Sequence, residues 1–200
     1  MPPISDLILP LLTSPWLLLV VLAVCIIDGF FPPVPSETTV VAALAAGLAA
    51  GSELPWAVGI VAVAAIGAMA GDSIAYWIGR RVGVDRFAWM RRPRVRRSTD
   101  WIAERVLATP ATLVLVGRYI PVGRVAVNAM AGASGLRYRR FLPLSIAAGL
   151  VWAAMCWAIA AASAAWLGDP LLAALAGVGI MLVLGVLFDL GGRVLRAKRA

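Results

Sequence analysis

The sequence contains no histidine and only two cysteines, and these shortages exclude several kinds of site. Without histidine, a Ser–His hydrolase or a His-dependent phosphatase lacks its general base. Cys25 and Cys156 lie in different apolar segments, so neither a metal site nor a disulfide is expected. No Gly-rich nucleotide fingerprint follows a strand pattern. We therefore predict no catalytic residue, no metal ligand and no cofactor, and we expect a protein that is not an enzyme.

Charged residues are also scarce, at 14% of the chain, whereas 62% of the residues are hydrophobic. A soluble domain carries about 25% charged and about 45–50% apolar residues. A chain of 200 residues cannot hide this much apolar surface from water. A bilayer is crossed by a helix of roughly 20 apolar residues, and four segments are long enough. These predicted transmembrane helices are residues 7–30, 55–79, 141–167 and 170–190.

Positive charge is missing from the first part of the chain, because all 18 Lys and Arg residues lie at position 80 or later. They include a basic loop at 80–108, a cluster at 137–140 and a basic tail at 191–200. Short basic loops stay on the cytoplasmic side of a membrane. An even number of crossings must therefore separate these clusters, so segment 110–135 enters and leaves on the cytoplasmic side. The same parity makes segment 32–51 dip in from the outer side and places both termini in the cytoplasm.

The two dipping segments share a pattern, since the spacing from Pro33 to Gly47 equals that from Pro121 to Gly135. Matching interrupted segments that enter from opposite sides predict an inverted repeat with a site near the midplane. Backbone left unpaired at such breaks is tolerated only inside protein or beside a wet cavity. We therefore predict a single all-α membrane domain over residues 1–200, with four transmembrane helices and two opposed re-entrant helical hairpins.

Each break carries charged residues, which are costly inside a membrane and functional by default. Glu37 follows Ser36 at the positive N-terminal end of a half-helix. Arg118 and Arg124 flank the second break, and guanidinium groups bind phosphate through two parallel hydrogen bonds. The sequence leaves a second interpretation open, in which Glu37 pairs with one of the arginines and locks the two dips together.

Three further polar residues lie in or beside apolar segments. Asp72 falls about two turns before the basic end of its span, where it carries a proton or pairs with an arginine of the second dip. Asn128 follows Arg124 and is expected to support the same site. Asp28 lies near the end of span 7–30 and is predicted to be interfacial.

The basic loop contains a predicted short helix that starts near Ser98, a plausible N-cap. Trp101, Ile102 and Val106 are placed to rest this helix on the membrane surface. The basic loops are expected to set the topology and to contact anionic headgroups, at about 1 kcal/mol per Lys or Arg near the surface. Nucleic-acid binding is not expected, because Arg runs beside spans follow from the topology alone.

Three stretches of the chain resemble the DedA family, also called the SNARE-associated or VTT-domain family. They are Pro32-Pro33-Val34-Pro35-Ser36-Glu37, Gly71-Asp72-x3-Tyr76-x2-Gly79-Arg80, and Gly117-Arg118-Tyr119-Ile120-Pro121-x2-Arg124 with Gly132-x2-Gly135. The resemblance covers roughly residues 10–190. It implies two re-entrant hairpins that face each other, and it implies lipid translocation. Bacterial members are linked to the return of undecaprenyl phosphate, or other phospholipids, across the cytoplasmic membrane.

The resemblance also implies roles for single residues. The family's essential acid in the first hairpin maps to Glu37, and its two essential arginines map to Arg118 and Arg124. A second family acid lies downstream of the first, and Glu53 is its counterpart here only at a different spacing. Tyr119 is grouped with the arginines as a predicted substrate-binding residue.

Together these observations predict a flippase- or scramblase-like transporter in the bacterial cytoplasmic membrane. Its expected partners are the membrane and a lipid with a phosphate headgroup, undecaprenyl phosphate foremost, and no nucleic acid. Proton coupling and an oligomer are left open. Two other classes stay open as well: a proton- or cation-coupled transporter of a small solute, and a membrane scaffold that transports nothing.

Overall fold

The computed structural model describes residues 14–31, 33–83, 93–118 and 123–197, and it is helical wherever it has regular structure within these ranges. The predicted all-α class is confirmed for this part of the chain. Tyr119 and Pro121 lie outside the described residues, as does Pro32. The helices are α1 (Pro15–Asp28), α2 (Ser36–Ala49), α3 (Leu54–Val82), α4 (Pro93–Ala108), α5 (Pro110–Gly117), α6 (Gly123–Ala133), α7 (Tyr138–Leu167) and α8 (Pro170–Ala197).

Two of the described helices, α3 and α7, are long and apolar enough to cross a membrane. They have 29 and 30 residues and contain the predicted spans 55–79 and 141–167. At about 1.5 Å per residue each measures roughly 45 Å, which exceeds the roughly 30 Å of bilayer hydrocarbon. The apolar parts of α1 and α8 are shorter within the described residues. Crossings at 7–30 and 170–190, and the orientation of the chain, therefore stay predictions.

In the predicted hairpin segments, the helices begin or end beside prolines and glycines. Segment 32–51 holds the single helix α2, which begins directly after Pro35. Segment 110–135 is divided into α5 and α6, and these two short helices pack against each other. The insertion of either segment into a membrane, and the inverted arrangement of four spans and two hairpins, stay predictions.

Helix ends follow local sequence signals. Four helices begin with proline at their first position, where the missing N–H is not needed and the fixed φ already suits a helix. Asp169 caps α8, because its Oδ1 accepts hydrogen bonds from the backbone N–H groups of Leu171 (3.0 Å) and Leu172 (2.9 Å). Gly168, directly after α7, has φ of 62°, which only glycine adopts without strain.

The chain forms two compact units. The first contains the described residues up to Cys25, Val34–Gly67 and the chain from Leu150 onwards. The second contains Ile26–Pro33 and Ala68–Gly149. In the first unit, α2 packs along α8, and Gly177 of α8 lies against the side chain of Val41 of α2.

The second unit has a core built from α3, α4, α5, α6 and α7. Tyr76 stacks on Phe141 with ring centroids 4.8 Å apart, and the rest of the core gathers around this pair. We call this group the core cluster; its members are Tyr76, Val106, Val114, Val127, Ala131, Leu136, Phe141 and Ala148. Because α4 contributes to this core, it is part of the folded unit.

The prediction for the helix of the basic loop was wrong in two respects. The helix begins at Pro93, before Ser98; proline is favoured at a first helical position because its fixed φ already suits a helix. Val106 is fully buried in the core cluster and Ile102 packs against it, so this apolar face contacts protein, not lipid. Trp101 remains 51% exposed on another face.

Candidate functional site

Asp72 is the centre of a buried polar cluster in the second unit. It lies within α3 and is 1% exposed. Its Oδ2 accepts hydrogen bonds from Arg118 Nη1 and from Ser145 Oγ, both at 3.0 Å. Its Oδ1 accepts a third hydrogen bond, at 2.9 Å, from Asn128 Nδ2. A buried carboxylate is tolerated when it is both paired and hydrogen-bonded, and Asp72 meets both conditions.

Arg118 follows the last residue of α5, and its side chain is almost fully buried. The salt bridge from its Nη1 to Asp72 Oδ2 measures 3.0 Å. A cation at the C-terminal end of a helix is favoured by the helix dipole. The dipole of α5 and the carboxylate of Asp72 therefore both stabilise the positive charge of Arg118.

Arg124 lies in the first turn of α6 and bridges two carboxylates. Its Nη2 is 3.1 Å from Asp28 Oδ2, and its Nε is 3.4 Å from Asp72 Oδ1. The side chain is only 8% exposed. Nevertheless, neither nitrogen makes a hydrogen bond within the described residues. The carboxylates therefore neutralise the Arg124 charge by proximity, while these N–H donors are not aligned with them.

Arg124 and Asp28 each lie at the electrostatically unfavourable end of a helix. Arg124 is next to the positive N-terminus of α6, and Asp28 is the last residue of α1, at its negative C-terminus. Each dipole opposes the charge beside it, by about 0.3–1 kcal/mol at exposed positions. The ion pair offsets both penalties. The Arg124 guanidinium itself places positive charge beside the N-terminus of α6, where anions bind readily.

Asp28 and Ser145 are the site residues that the sequence analysis missed. Asp28 was predicted to be interfacial, and its depth in the membrane stays a prediction; within the protein it is buried and paired with Arg124. The available signal was that Asp28 is the only acid in segment 7–30. Ser145 lies two residues after Pro143, a proline inside α7 that frees backbone groups, and this combination marks a place where polar groups can be needed.

Glycines bring the backbones of α3 and α6 into direct contact beside the cluster. A Cβ atom on Gly79 would overlap the carbonyl oxygen of Ala129, and one on Gly132 would overlap the carbonyl oxygen of Tyr76. A third contact of this kind joins Gly29, after α1, to Gly71 of α3. These contacts hold the helices that carry Asp72, Arg124 and Asp28 at fixed separations.

Residues 31–163 match the model of the VTT domain. The chain belongs to the VTT-domain (DedA) family. It is 35% identical over 140 residues to an uncharacterized membrane protein of Mycobacterium bovis, covering 68% of this chain and 63% of that protein. It is also 28% identical over 190 residues to an alkaline phosphatase-like protein of Lactococcus lactis, covering 86% of this chain and 83% of that protein. No solved structure matches.

Family membership and the two spanning-length helices identify this VTT-domain chain as a membrane protein. The chain spans 63% of the length of the mycobacterial relative that it matches. Asp72, Arg118, Arg124, Asn128 and Ser145 all lie within the matched domain. Asp28 precedes it by three residues.

The structure brings together only some of the residues predicted for the site of this VTT-domain protein. Asp72, Arg118, Arg124 and Asn128 converge in the second unit. Glu37 lies in the first turn of α2, in the first unit, as predicted for a half-helix N-terminus. Its pairing with an arginine stays a prediction. Glu53 is exposed just before α3, in the first unit.

Proposed function

We propose that this protein translocates a lipid with an anionic headgroup across the bacterial cytoplasmic membrane, with undecaprenyl phosphate as the first candidate. The observation that carries the proposal is Arg124, a buried guanidinium at a helix N-terminus. It lies at ion-pair distance from two carboxylates, yet its Nε and Nη2 make no hydrogen bond within the described residues.

A phosphate group suits such a site for two reasons. The planar guanidinium fork matches two phosphate oxygens, and charge-assisted hydrogen bonds of this kind are roughly twice as strong as neutral ones. The N-terminal turn of α6 offers backbone N–H groups and the positive end of its dipole to the same anion. The lipid tails remain in the bilayer while the headgroup uses this polar position inside the protein.

The two ion pairs take different parts in the proposal. Asp72 is held by three hydrogen bonds, each contributing about 0.5–3 kcal/mol, so it serves as the fixed partner that positions Arg118. The Arg124–Asp28 pair is the exchangeable one. An entering phosphate takes the place of the Asp28 carboxylate at Arg124.

Charge balance connects this exchange to proton movement. Asp28, Asp72, Arg118 and Arg124 together carry no net formal charge. A phosphate added to this group introduces negative charge, which is costly in a buried site unless it is compensated. Protonation of the displaced Asp28 removes one of these negative charges, and protonation of the phosphate to its monoanion removes the other. Glu37, in the first unit, is the proposed second acid of the proton path, and it gates or couples transport.

The first experiment measures headgroup translocation in proteoliposomes. Labelled undecaprenyl phosphate and phosphatidylethanolamine are tested in parallel, with wild type, Arg118→Ala and Arg124→Lys. We expect the arginine variants to lower translocation of the phosphate lipid by about tenfold or more, because a lost charged hydrogen bond contributes about 1.5–3 kcal/mol. The conservative lysine variant is the sharper test, since it keeps the charge and loses the fork.

Each competing function has its own outcome in the same vesicles. Ion flux without any lipid substrate, and no lipid movement, would favour the proton- or cation-coupled solute transporter. Full cellular activity of correctly inserted Arg118→Ala and Glu37→Ala variants would favour the scaffold. Release of inorganic phosphate from the labelled lipid would overturn the proposal that the protein is not an enzyme, a point raised by the name of the Lactococcus relative.

A further inference from the structure

Exposed arginines surround one end of the second unit. The core cluster helps to fix their positions, because four of the five arginines adjoin a cluster member in the chain or bond to one. Arg80 donates a hydrogen bond from Nη1 to Tyr76 Oη at 3.2 Å, and Arg105 precedes Val106. Arg137 follows Leu136, Arg140 precedes Phe141, and Arg139 lies between Tyr138 and Arg140. We call this set the basic collar; it consists of Arg80, Arg105, Arg137, Arg139 and Arg140.

The collar carries positive charge that the described part of the chain does not neutralise. All five side chains are exposed, and none lies within ion-pair distance of a carboxylate among the described residues. Arg105 lies over the ring of Trp101, 5.0 Å from its centroid, and this contact leaves its charge in place. The exposed acids nearest in sequence are Asp100 and Glu104, both on α4. The collar therefore presents a surplus of positive charge.

Aromatic residues mark the depth at which this end lies in a membrane. Trp77 of α3 is 44% exposed, and its ring packs 5.5 Å from that of Tyr138 at the start of α7. Tyr138 in turn hydrogen-bonds through Oη to Ser73 Oγ at 2.9 Å. Amphipathic Trp and Tyr rings of this kind concentrate at the level of lipid headgroups. Both rings lie within a turn of a collar arginine.

We infer that the basic collar binds the anionic phospholipid headgroups of the leaflet that it faces. Most of the collar arginines lie near Trp77 of α3 and Tyr138 of α7, on the two helices long enough to span a membrane. At that level of a membrane, the anions that the arginines can contact are lipid phosphates. Each basic residue near an anionic surface contributes about a fivefold preference for an anionic lipid. A soluble polyanion, such as a nucleic acid, would have to displace these headgroups first.

The collar lies close to the buried cluster along α3. Arg80 is two turns beyond Asp72, which corresponds to about 12 Å of helix. Anionic headgroups concentrated at the collar are therefore close to the cluster that contains Arg118 and Arg124. The binding itself does not depend on the proposed transport, and the two are tested separately.

The test is the lipid selectivity of the full-length protein reconstituted in phosphatidylcholine. Trace spin-labelled phosphatidylglycerol or spin-labelled phosphatidylcholine is added, and the immobilised fraction of each probe is read by electron spin resonance. We expect at least about a fivefold preference for phosphatidylglycerol at low ionic strength, falling as salt screens the charges. A variant that combines Arg137→Ala, Arg139→Ala and Arg140→Ala should lower this preference by about fivefold or more.

Two matched variants make the result specific. Lysine at the same three positions should retain the preference, because charge and not the guanidinium fork attracts the lipid. Removing three charges from the tail, with Arg193→Ala, Arg196→Ala and Lys198→Ala, should leave most of it. Equal loss in the tail and collar variants would overturn the inference, because net charge alone would explain it. Wild-type protein without preference for phosphatidylglycerol would overturn it as well.

Discussion

Asp72→Asn is the substitution whose effect the structure defines most closely. The change keeps the size of the side chain and replaces one acceptor oxygen by an NH2 group. In either orientation that NH2 meets a donor, because Oδ1 faces Asn128 Nδ2 and Oδ2 faces Arg118 Nη1. The charge that balances the buried guanidinium is lost at the same time.

Breaking a buried ion pair by removing one partner costs about 3–5 kcal/mol, so we expect Asp72→Asn to lower the free energy of unfolding by that amount. The measurement is reversible unfolding in mixed micelles, followed by far-UV circular dichroism as the denaturing detergent increases. Asp169→Asn is the matched control. It lies at an exposed N-cap where Asn serves almost as well as Asp, so it should cost less than about 0.5 kcal/mol.

A double-mutant cycle with Arg118→Gln tests the pairing itself. If the two residues stabilise each other, the double variant should lose at least about 1 kcal/mol less than the sum of the single variants. Strict additivity would refute the reasoning, and so would a cost of Asp72→Asn no larger than that of Asp169→Asn. Either result would mean that the buried charges are compensated elsewhere.

Three further substitutions, two of them with a matched control, have expected outcomes. Gly132→Ala should lower the free energy of unfolding by about 2 kcal/mol or more, because the new Cβ atom overlaps the backbone of α3. Gly59→Ala is the control: its Cβ atom would lie in open space on α3, so the same assay should show no change or a stabilisation of up to about 1 kcal/mol. Ser145→Ala should lower the free energy of unfolding by about 1.5–3 kcal/mol, because it removes a hydrogen bond to a buried carboxylate. Ser163→Ala is its control: it removes a hydrogen bond to a helix carbonyl oxygen and should lower the free energy of unfolding by about 1 kcal/mol or less. Arg124→Lys should fold normally and bind soluble phosphate analogues at least about tenfold more weakly by calorimetry.

Part of the site could be predicted from the sequence because charges in apolar segments are few. Asp72, Arg118 and Arg124 each interrupt an apolar stretch, and burial forces such residues to find partners. The helical class followed from the same composition. The proline and glycine breaks placed the boundary between α5 and α6 between the two arginines.

The rest of the site could not be read from the sequence, because it depends on distances between segments. Asp28 lies near the end of a predicted span, where an interfacial position explains it equally well. The contact of Gly29 with Gly71, which the sequence does not reveal, brings the end of α1 to the cluster. Val106 looked like a membrane-facing residue for a similar reason: amphipathicity shows which face is apolar, but not what covers that face.

The glycine contacts between α3 and α6 also determine how this part of the protein can move. Where side chains interdigitate, two helices can slide by exchanging rotamers. Here a carbonyl oxygen of each helix occupies the space where the other helix has no Cβ atom. A slip by one residue, about 1.5 Å, would bring a side chain into that space. Shear along this contact is therefore blocked, and any opening of the site must occur as a hinge motion that carries α3 and α6 together.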